Sequence, residues 1–317
     1  MKEIIAIQNF ELQAKKKLIY YLESYKPGKV LIIFDHGLGD LVEFFQIFNT
    51  LQKDYPKWEF KLGYHPTLDF KELHKDTYEI TQANKNFVIP FNQSVVQLSN
   101  TLYRYDIDKL SKEFKFVFCI QFPDARHPMI PLHQVVNISK LDRCKVLEIG
   151  YDDNKILESY VPPFKEKLNN KDSKKVIFHA FGHTDKGIKT PSYEDQKTIW
   201  NEILDAGYEP VDVHMNNVTT IAGSNAPLPD FMDPSMSIRN SGSGMSGLIE
   251  TMLTAKYTVG VLSGPLHLSN VLYGGENCLG LEGKFKISNY IDSPKLTSVN
   301  IYPYKKGTVY EWLKNKG

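Results

Sequence analysis

Hydrophobic and polar positions along the chain change their period several times, and each change marks a new element. Residues 29–34 (KVLIIF) form a short, unbroken apolar run, which is typical of a strand buried on both faces of a parallel sheet. From Leu41 the apolar positions recur at helical spacing, and this helix has to end before Pro56. The pattern predicts two further strands in this half of the chain, at 58–64 and 115–120.

A second strand–helix series follows the polar, lysine-rich stretch 165–175 (KEKLNNKDSKK), which is predicted to be a linker. Because strands alternate with helices throughout, the pattern indicates right-handed βαβ units and parallel sheets. In this half the pattern predicts strands at 175–181, 209–214, 257–262 and 277–281, and helices at 193–206, 246–255, 265–273 and 306–316.

Two such series predict an α/β protein with two doubly wound, Rossmann-like domains that face each other across a cleft. The predicted domains are 1–165 and 175–317, and the last helix is expected to pack either on the second domain or back on the first. Ligands of such sheets bind at the carboxyl ends of the strands. The loops at those ends are therefore the places to look for chemistry.

The loop after the first strand is 35–40 (DHGLGD), in which Gly37 and Gly39 allow the backbone to approach a ligand closely. Asp40 at its end has two interpretations. It is either a helix N-cap, which is worth about 1 kcal/mol, or a carboxylate facing the cleft that takes a proton from an acceptor hydroxyl. A positioned general base contributes roughly 10²–10⁴-fold to a rate. The loop lacks the GxGxxG spacing of a dinucleotide site.

The loop after the first strand of the second series is 182–190 (GHTDKGIKT). Thr184, Lys186 and Lys189 make it basic and hydroxyl-bearing, which suits a diphosphate. The alternative is a solvated surface loop whose lysines bind nothing specific.

The third loop is 262–268 (LSGPLHL), where Pro265 takes the favoured first position of a helix. The backbone N–H groups around Gly264 and the Ser263 hydroxyl are predicted to bind an anion at the positive end of this helix. His267 adds a possible donor, although a lone histidine is more often a core or capping group.

The loops are more informative together than apart, because one carries a carboxylate and two carry features that bind anions. This combination suits group transfer from a diphosphate-activated donor, with the donor phosphates on the second domain and the acceptor on the first. The stretch 237–246, rich in Gly and Ser and containing Arg239, is interpreted either as a flexible connection or as a cover over the donor.

Composition narrows the class of protein. The chain has 317 residues, 38 Lys+Arg and 37 Asp+Glu, a net charge of +1, and 42% hydrophobic residues. This composition excludes a collagen, a disordered tail and a disulfide-dense miniprotein. The near-neutral charge makes a dedicated nucleic-acid binder less favoured, since such proteins usually carry a basic excess. The net charge of +1 is still compatible with a local basic site that is balanced by acidic surface elsewhere.

Compartment and metal binding are also constrained. The three cysteines are far apart and have no CxxC pairing, so a reducing, cytoplasmic location without structural zinc is expected. No apolar stretch approaches the ~20 residues of a membrane span. Residues 13–25 are interpreted as a solvated helix packed on the protein, with peripheral membrane contact as the alternative. The acidic pairs are predicted to be solvated turns, not metal ligands: Asp106 with Asp108, and Asp152 with Asp153.

The three loops resemble glycosyltransferase family 9, the ADP-heptose:lipopolysaccharide heptosyltransferases. Residues 37–42 (GLGDLV) resemble the Gly-Asp-Val/Leu start of that family, and 179–200 resemble its strand, Thr-Arg-x-x-Lys loop and Trp-bearing helix. The most specific match is 248–272 (LIETMLTAKYTVGVLSGPLHLSNVL), which resembles the family's ND[ST]GPxHLA region. The resemblance spans about 29–285 and is patchy between 61 and 174.

The resemblance implies a GT-B fold, a nucleotide-diphosphate-sugar donor and an inverting displacement without a metal or tightly bound cofactor. It makes Asp40 the catalytic base and Lys189 the phosphate-binding lysine, with Lys186 near the family's arginine. It also implies a hydroxyl acceptor, such as a surface polysaccharide or a lipid-linked glycan. The donor-binding positions that it implies are Ser263, Gly264 and His267. The family has an acid that contacts the ribose near the position of Glu250, and a solvated helix face is the alternative interpretation of Glu250.

The sequence departs from the family pattern at two places. Leu262 stands where the family has an aspartate that helps to hold the donor, so heptose does not follow as the sugar. Lys189-Thr190-Pro191 replaces a Lys-x-Trp-Pro run. Two other functions therefore stay open: another GT-B enzyme, such as a nucleotide-sugar epimerase or hydrolase or a transferase acting on a DNA base or a protein, and a non-catalytic binding protein that keeps the fold.

Overall fold

The chain divides into two compact units, Met1–Tyr160 and Val161–Gly317, in the computed structural model. The structure describes residues 18–34, 38–64, 70–79, 112–120, 149–151, 155–182, 189–214, 227–239, 241, 243–291 and 293–316. Each unit contains a parallel sheet with helices, so the predicted α/β class is confirmed.

The described strands of the first unit form a parallel sheet in the order β3-β2-β1-β4. Val30 of β1 aligns with Phe60 of β2 on one side and with Phe116 of β4 on the other. The strands are β1 (Lys29–Phe34), β2 (Glu59–Tyr64), β3 (Thr77–Glu79) and β4 (Phe116–Ile120). A short 3-10 helix, Phe70–Glu72, precedes β3.

Helix α1 (Leu18–Ser24) packs on the first unit through buried Leu18, Tyr21 and Leu22. The Trp58 indole N–H donates to the Leu22 carbonyl (3.2 Å). This contact fits the interpretation of this segment as a helix packed on the protein.

Helix α2 (Leu38–Asp54) buries a continuous apolar face that includes Phe44, Phe45 and Phe48. The helix begins three residues before the predicted Leu41, so Gly39 and Asp40 lie inside its first turn rather than in a glycine turn. Glycine in a helix costs about 1 kcal/mol relative to alanine, and the long apolar face outweighs this cost.

His74 is a buried polar side chain of the first unit, and it lies against the Phe45 ring (5.3 Å between centroids) and the Phe48 ring (5.1 Å). Its Nδ1 accepts from the Asp76 N–H (3.1 Å), so the proton lies on Nε2, which donates to Asn49 Oδ1 (3.0 Å). Burial lowers the pKa of His74 to about 4, and the imidazole is therefore neutral at physiological pH.

The second unit contains a parallel sheet of described strands in the order β6-β5-β7-β8-β9. Its core is built around Phe178 and Trp200, whose rings meet edge to face at 5.7 Å. The strands are β5 (Lys175–His179), β6 (Glu209–Asp212), β7 (Tyr257–Val261), β8 (Cys278–Glu282) and β9 (Thr297–Asn300).

The helices of this unit follow the strands as the pattern predicts. Gly207, with φ +86°, follows the first of them and provides the left-handed backbone at which that helix stops. They are α3 (Tyr193–Asp205), α4 (Gly244–Thr254), α5 (Gly264–Tyr273) and α6 (Thr308–Lys314), with 3-10 turns at Lys165–Lys167, Pro234–Met236, Gly275–Asn277 and Ile287–Asn289.

The final helix packs on the second unit, where Val309 and Leu313 join its core. The buried carboxylate of Glu202 on α3 receives hydrogen bonds from the N–H groups of Gly307 (2.6 Å), Val309 (3.0 Å) and Tyr310 (3.1 Å) and from the Tyr304 hydroxyl (2.8 Å). One side chain thus holds the start of α6.

The lysine-rich stretch predicted as a linker is hydrogen-bonded to the second unit. The Asn169 N–H donates to the Leu253 carbonyl (3.0 Å), and the Asn170 amide donates to the Ala255 carbonyl (2.9 Å). Both acceptors lie at the end of α4, and these two bonds attach the stretch to the body of that unit.

Candidate functional site

In each sheet, later strands of the chain lie on both sides of the first strand of the unit. In the first unit β1 lies between β2 and β4, and in the second β5 lies between β6 and β7. Ligands of open α/β sheets bind beside such a switch point, at the carboxyl ends of the strands. The predicted loops that follow β1, β5 and β7 all belong to these edges.

Asp40 lies in the first turn of α2, which follows β1, and it is half-buried. A carboxylate in a first turn interacts favourably with the positive end of the helix dipole. Glu43 lies one turn later and is 7% exposed, with the Gln46 amide donating to it (3.3 Å). Residues spaced by three share one side of a helix, so α2 carries a second carboxylate beside Asp40. The sequence analysis passed over Glu43 because it lies within an apolar run.

Lys189 lies where the basic loop returns to the sheet of the second unit. The Gly182 N–H, just after β5, donates to Thr190 Oγ1 (3.1 Å), so the residue next to Lys189 lies close to the end of that strand. The Lys189 ammonium lies 5.6 Å from the centre of the Phe285 ring, in the segment after β8. Lys189 therefore brings a positive charge to the carboxyl edge of the sheet.

The start of α5 offers less to an anion than the sequence predicts. Ser263 Oγ donates to the Val261 carbonyl (3.2 Å), and the N–H groups of Leu266 and His267 donate to the Ser263 carbonyl (3.1 and 3.2 Å). Pro265 has no N–H. The Gly264 N–H takes part in none of these bonds. The Ser263 side chain makes no capping bond to α5.

Two side chains of the third loop point into the protein. His267 is 5% exposed, as expected of a core histidine. Leu262 is 6% exposed and belongs to an apolar cluster with Leu266, Cys278, Ile287 and Ile291. In this chain Leu262 packs against the segment after β8 and contributes to the core.

Glu250 is exposed on α4, beyond the first turn of that helix. The stretch before α4 contains an ion pair that the sequence analysis missed. Arg239, 5% exposed, holds Asp212 at the end of β6 through two bonds of 3.1 Å, and the Ser237 hydroxyl donates to the same carboxylate (2.7 Å). The Arg239 side chain is thus anchored to the sheet by Asp212, and whether the stretch 237–246 is a flexible connection or a cover over the donor stays a prediction.

Aromatic and imidazole rings lie beside this ion pair. His179 ends β5, and its ring stacks on His214 at 6.3 Å, while Phe181 meets His214 edge to face at 4.7 Å. Both histidines are buried. These rings therefore pack inside the second unit at the carboxyl ends of β5 and β6.

Several predicted positions lie outside the described residues. They include Thr184 and Lys186 of the basic loop, His36 and Gly37 of the first loop, and the acidic pairs at Asp106, Asp108, Asp152 and Asp153. Where residues are described, they contain no group of His, Cys, Asp and Glu arranged to hold a metal ion. None of the described helices combines the length and the apolar character needed to cross a membrane.

Comparison with known proteins identifies the fold. No protein-family model and no curated protein matches the sequence. Among solved structures, Escherichia coli heptosyltransferase WaaC with ADP superposes with a TM-score of 0.57 at 13% identity, covering 91% of this chain and 100% of WaaC.

A glycosyl transferase family 9 structure from Veillonella parvula gives a TM-score of 0.52 at 13% identity, covering 91% of this chain and 95% of the other. The iron-containing dodecameric glycosyltransferase TibC of enterotoxigenic E. coli gives 0.56 at 11%, covering 87% of this chain but only 64% of TibC. The sequence motifs resemble the same family of glycosyltransferases. The chain has the fold of heptosyltransferases and family 9 glycosyltransferases.

Proposed function

We propose that the protein is an inverting glycosyltransferase of the GT-B type, which moves a sugar from a nucleotide-diphosphate donor to a hydroxyl acceptor. The observation that carries the proposal is the position of Lys189 and of the α5 start at the ends of β5 and β7, on either side of the switch point. The shared fold supports it, because neighbours with that fold include a heptosyltransferase solved with ADP.

In the proposed reaction the acceptor oxygen attacks the anomeric carbon of the donor sugar. The new carbon–oxygen bond forms as the bond from that carbon to the diphosphate breaks, and the acceptor proton passes to the Asp40 carboxylate. The base and the leaving group act on opposite sides of the sugar, which inverts the anomeric centre. The reaction needs both units, because Asp40 belongs to the first and Lys189 to the second.

The leaving diphosphate gains negative charge as the bond breaks. Lys189 offsets this charge directly, and the Gly264 N–H at the start of α5 adds a hydrogen bond and the favourable end of the helix dipole. Thr184 and Lys186 of the same basic loop are proposed to contact the diphosphate, and Glu250 the ribose. These groups make a metal ion unnecessary for stabilising the leaving group.

The acceptor is proposed to be a glycan, on a surface polysaccharide or a lipid carrier, and the reaction to take place in the cytoplasm. Gly39, beside Asp40, lies within the first turn of α2, where the absence of a side chain allows an acceptor or donor to approach the backbone.

Two substitutions separate the proposed roles. A panel of nucleoside diphosphates and their sugars is tested by thermal shift, since a ligand at 100 times its dissociation constant adds about 2.7 kcal/mol of stability. Lys189→Ala is expected to reduce the shift of the best donor. Asp40→Asn is expected to keep that shift and to lower turnover with the true acceptor by roughly 10²–10⁴-fold. Unchanged turnover in Asp40→Asn would contradict the role of Asp40 as the base. An unchanged thermal shift with the donor in Lys189→Ala would contradict the role of Lys189 in the phosphate site.

A further inference from the structure

We infer that Phe285 and Tyr302 are positioning residues, which hold Lys189 in place for the donor diphosphate before the donor binds. The inference rests on the proposed function, since it takes Lys189 as the lysine that binds the phosphates. It goes further by naming two side chains from other parts of the sheet edge that act on the diphosphate only through Lys189.

Tyr302 acts on the backbone next to Lys189. Its hydroxyl donates to the Thr190 carbonyl (2.7 Å) from the segment that follows β9. Thr190 also accepts from the Gly182 N–H through Oγ1 (3.1 Å), and the Gln196 amide of α3 donates to the Pro191 carbonyl (2.9 Å). Segments next to β5, β9 and α3 thus fix the backbone that carries Lys189.

The Tyr302 hydroxyl stays a donor over the whole working range of pH. Burial and the negative charge of Asp195 both raise its pKa above the ordinary value. The side chain is 39% exposed, so its hydroxyl is not needed to fill the core. A substitution that removes only this oxygen tests its effect on Lys189 without opening a cavity.

Phe285 acts on the side chain of Lys189, whose ammonium lies over the ring at 5.6 Å. This distance lies within the range in which a cation is attracted to an aromatic face. A lysine side chain otherwise samples many rotamers, and ordering it on binding reduces affinity. The ring therefore preorganises the cation.

The segment that carries Phe285 is itself fixed. Ile287 is 1% exposed in the apolar cluster that includes Leu262, and its N–H donates to Glu282 Oε2 (2.9 Å) at the end of β8. The Phe285 ring also meets Tyr290 edge to face at 6.2 Å. Because this support is rigid, the ring can set the position of the ammonium.

The test is a substitution series at 285 read by calorimetric binding of inorganic pyrophosphate. Phe285→Leu is expected to weaken binding by about two- to five-fold, the size of an exposed cation–π contact. Phe285→Tyr and Phe285→Trp are expected to keep the wild-type affinity, because they keep an aromatic face. Tyr302→Phe is expected to weaken binding by a similar factor. Phe231→Leu and Tyr310→Phe, both in the second unit, are the matched controls and are expected to leave the affinity for pyrophosphate unchanged.

A readout without ligand tests the contact itself. In the free protein the Phe285 ring current is expected to shift the NMR signals of the Lys189 ε-methylene protons upfield, and Phe285→Leu is expected to abolish this shift. In the Lys189→Ala background, Phe285→Leu is expected to have no further effect on pyrophosphate binding.

The outcomes separate the two proposals. If Lys189→Ala weakens pyrophosphate binding but the leucine, tyrosine and tryptophan variants at 285 bind alike, the positioning inference is overturned and the phosphate site stands. If Lys189→Ala itself binds pyrophosphate normally, the phosphate site is wrong and the positioning inference falls with it.

Discussion

Helices α3 and α6 begin in a different way from α5, although all three belong to the second unit. Ser192 caps α3: its hydroxyl oxygen accepts from the Asp195 N–H (3.1 Å) and its proton goes to the Asp195 carboxylate (2.7 Å). The start of α6 is held by the Glu202 carboxylate. Ser263, at the same position before α5, turns instead to the Val261 carbonyl and makes no cap.

The difference is that side chains accept from first-turn amides at the starts of α3 and α6, whereas no side chain caps the start of α5. The first amides of any helix lack partners inside the helix. A capping side chain uses one or more of them, so a capped start has less to offer an anion. An uncapped start at the carboxyl edge of the sheet keeps both its amide and its dipole for a ligand, and α5 is the helix that we propose binds the donor phosphates.

The largest effect is expected where a satisfied start is broken. Glu202→Ala removes the acceptor of the Gly307 and Tyr310 N–H groups and one of the two acceptors of the Val309 N–H, which also donates to the Tyr304 hydroxyl (3.2 Å). A buried donor without a partner costs about 1–3 kcal/mol, and the Gly307 and Tyr310 groups are only part-buried, so we expect the second unit to lose about 2–3 kcal/mol of unfolding free energy. Denaturant unfolding followed by the fluorescence of Trp200 and Trp312 measures the loss.

A carboxylate on the same helix provides the control. Asp205 is exposed in the last turn of α3, and Asp205→Ala is expected to change the unfolding free energy by no more than about 0.5 kcal/mol. Trp58, in the first unit, gives an internal reference that neither substitution should alter. Equal losses for Glu202→Ala and Asp205→Ala would mean that Glu202 does not hold α6.

The sequence predicts where the helices begin but not which groups accept hydrogen bonds from their first amides. The strand–helix alternation is local, and it located α3, α5 and α6 to within about two residues. Glu202 reaches donors about a hundred residues further along the chain, and Arg239 contacts Asp212, 27 residues before it in the sequence. No local pattern connects such positions, because the contact exists only after the strands have assembled.

Two strands show the same limit. Strand β9 (Thr297–Asn300) is largely exposed and has little apolar periodicity, and β3 (Thr77–Glu79) is short. Both lie at sheet edges, where a strand is held by backbone bonds on one side and needs no apolar run. In the candidate site, residue types that bind phosphate identified Lys189, whereas its contact with Phe285 depends on a segment about a hundred residues away.

A smaller effect is expected at the uncapped start, and it should appear in binding rather than in stability. Ser263→Ala removes a hydroxyl that we propose turns from the Val261 carbonyl to a donor phosphate. A hydrogen bond to a charged group is worth about 1.5–3 kcal/mol, and the lost bond to Val261 reduces the net value, so we expect roughly ten-fold weaker binding of the nucleoside diphosphate. The unfolding free energy should change by less than about 0.5 kcal/mol. A loss of stability without a loss of affinity would place Ser263 among the structural caps.

The smallest effect is expected for the same substitution at the capped start, Ser192→Ala. It removes the side-chain bonds to the Asp195 N–H and to the Asp195 carboxylate, and losing a serine cap costs about 1 kcal/mol. The affinity for the nucleoside diphosphate should stay at the wild-type value, because the start of α3 is not among the groups that we propose bind the donor. Denaturant unfolding and calorimetric titration of both serine variants give the complete comparison. Equal losses of affinity in Ser192→Ala and Ser263→Ala would mean that capping does not distinguish the two helix starts. The loss in Ser192→Ala would then be assigned to the support that α3 gives to the Lys189 backbone through Gln196.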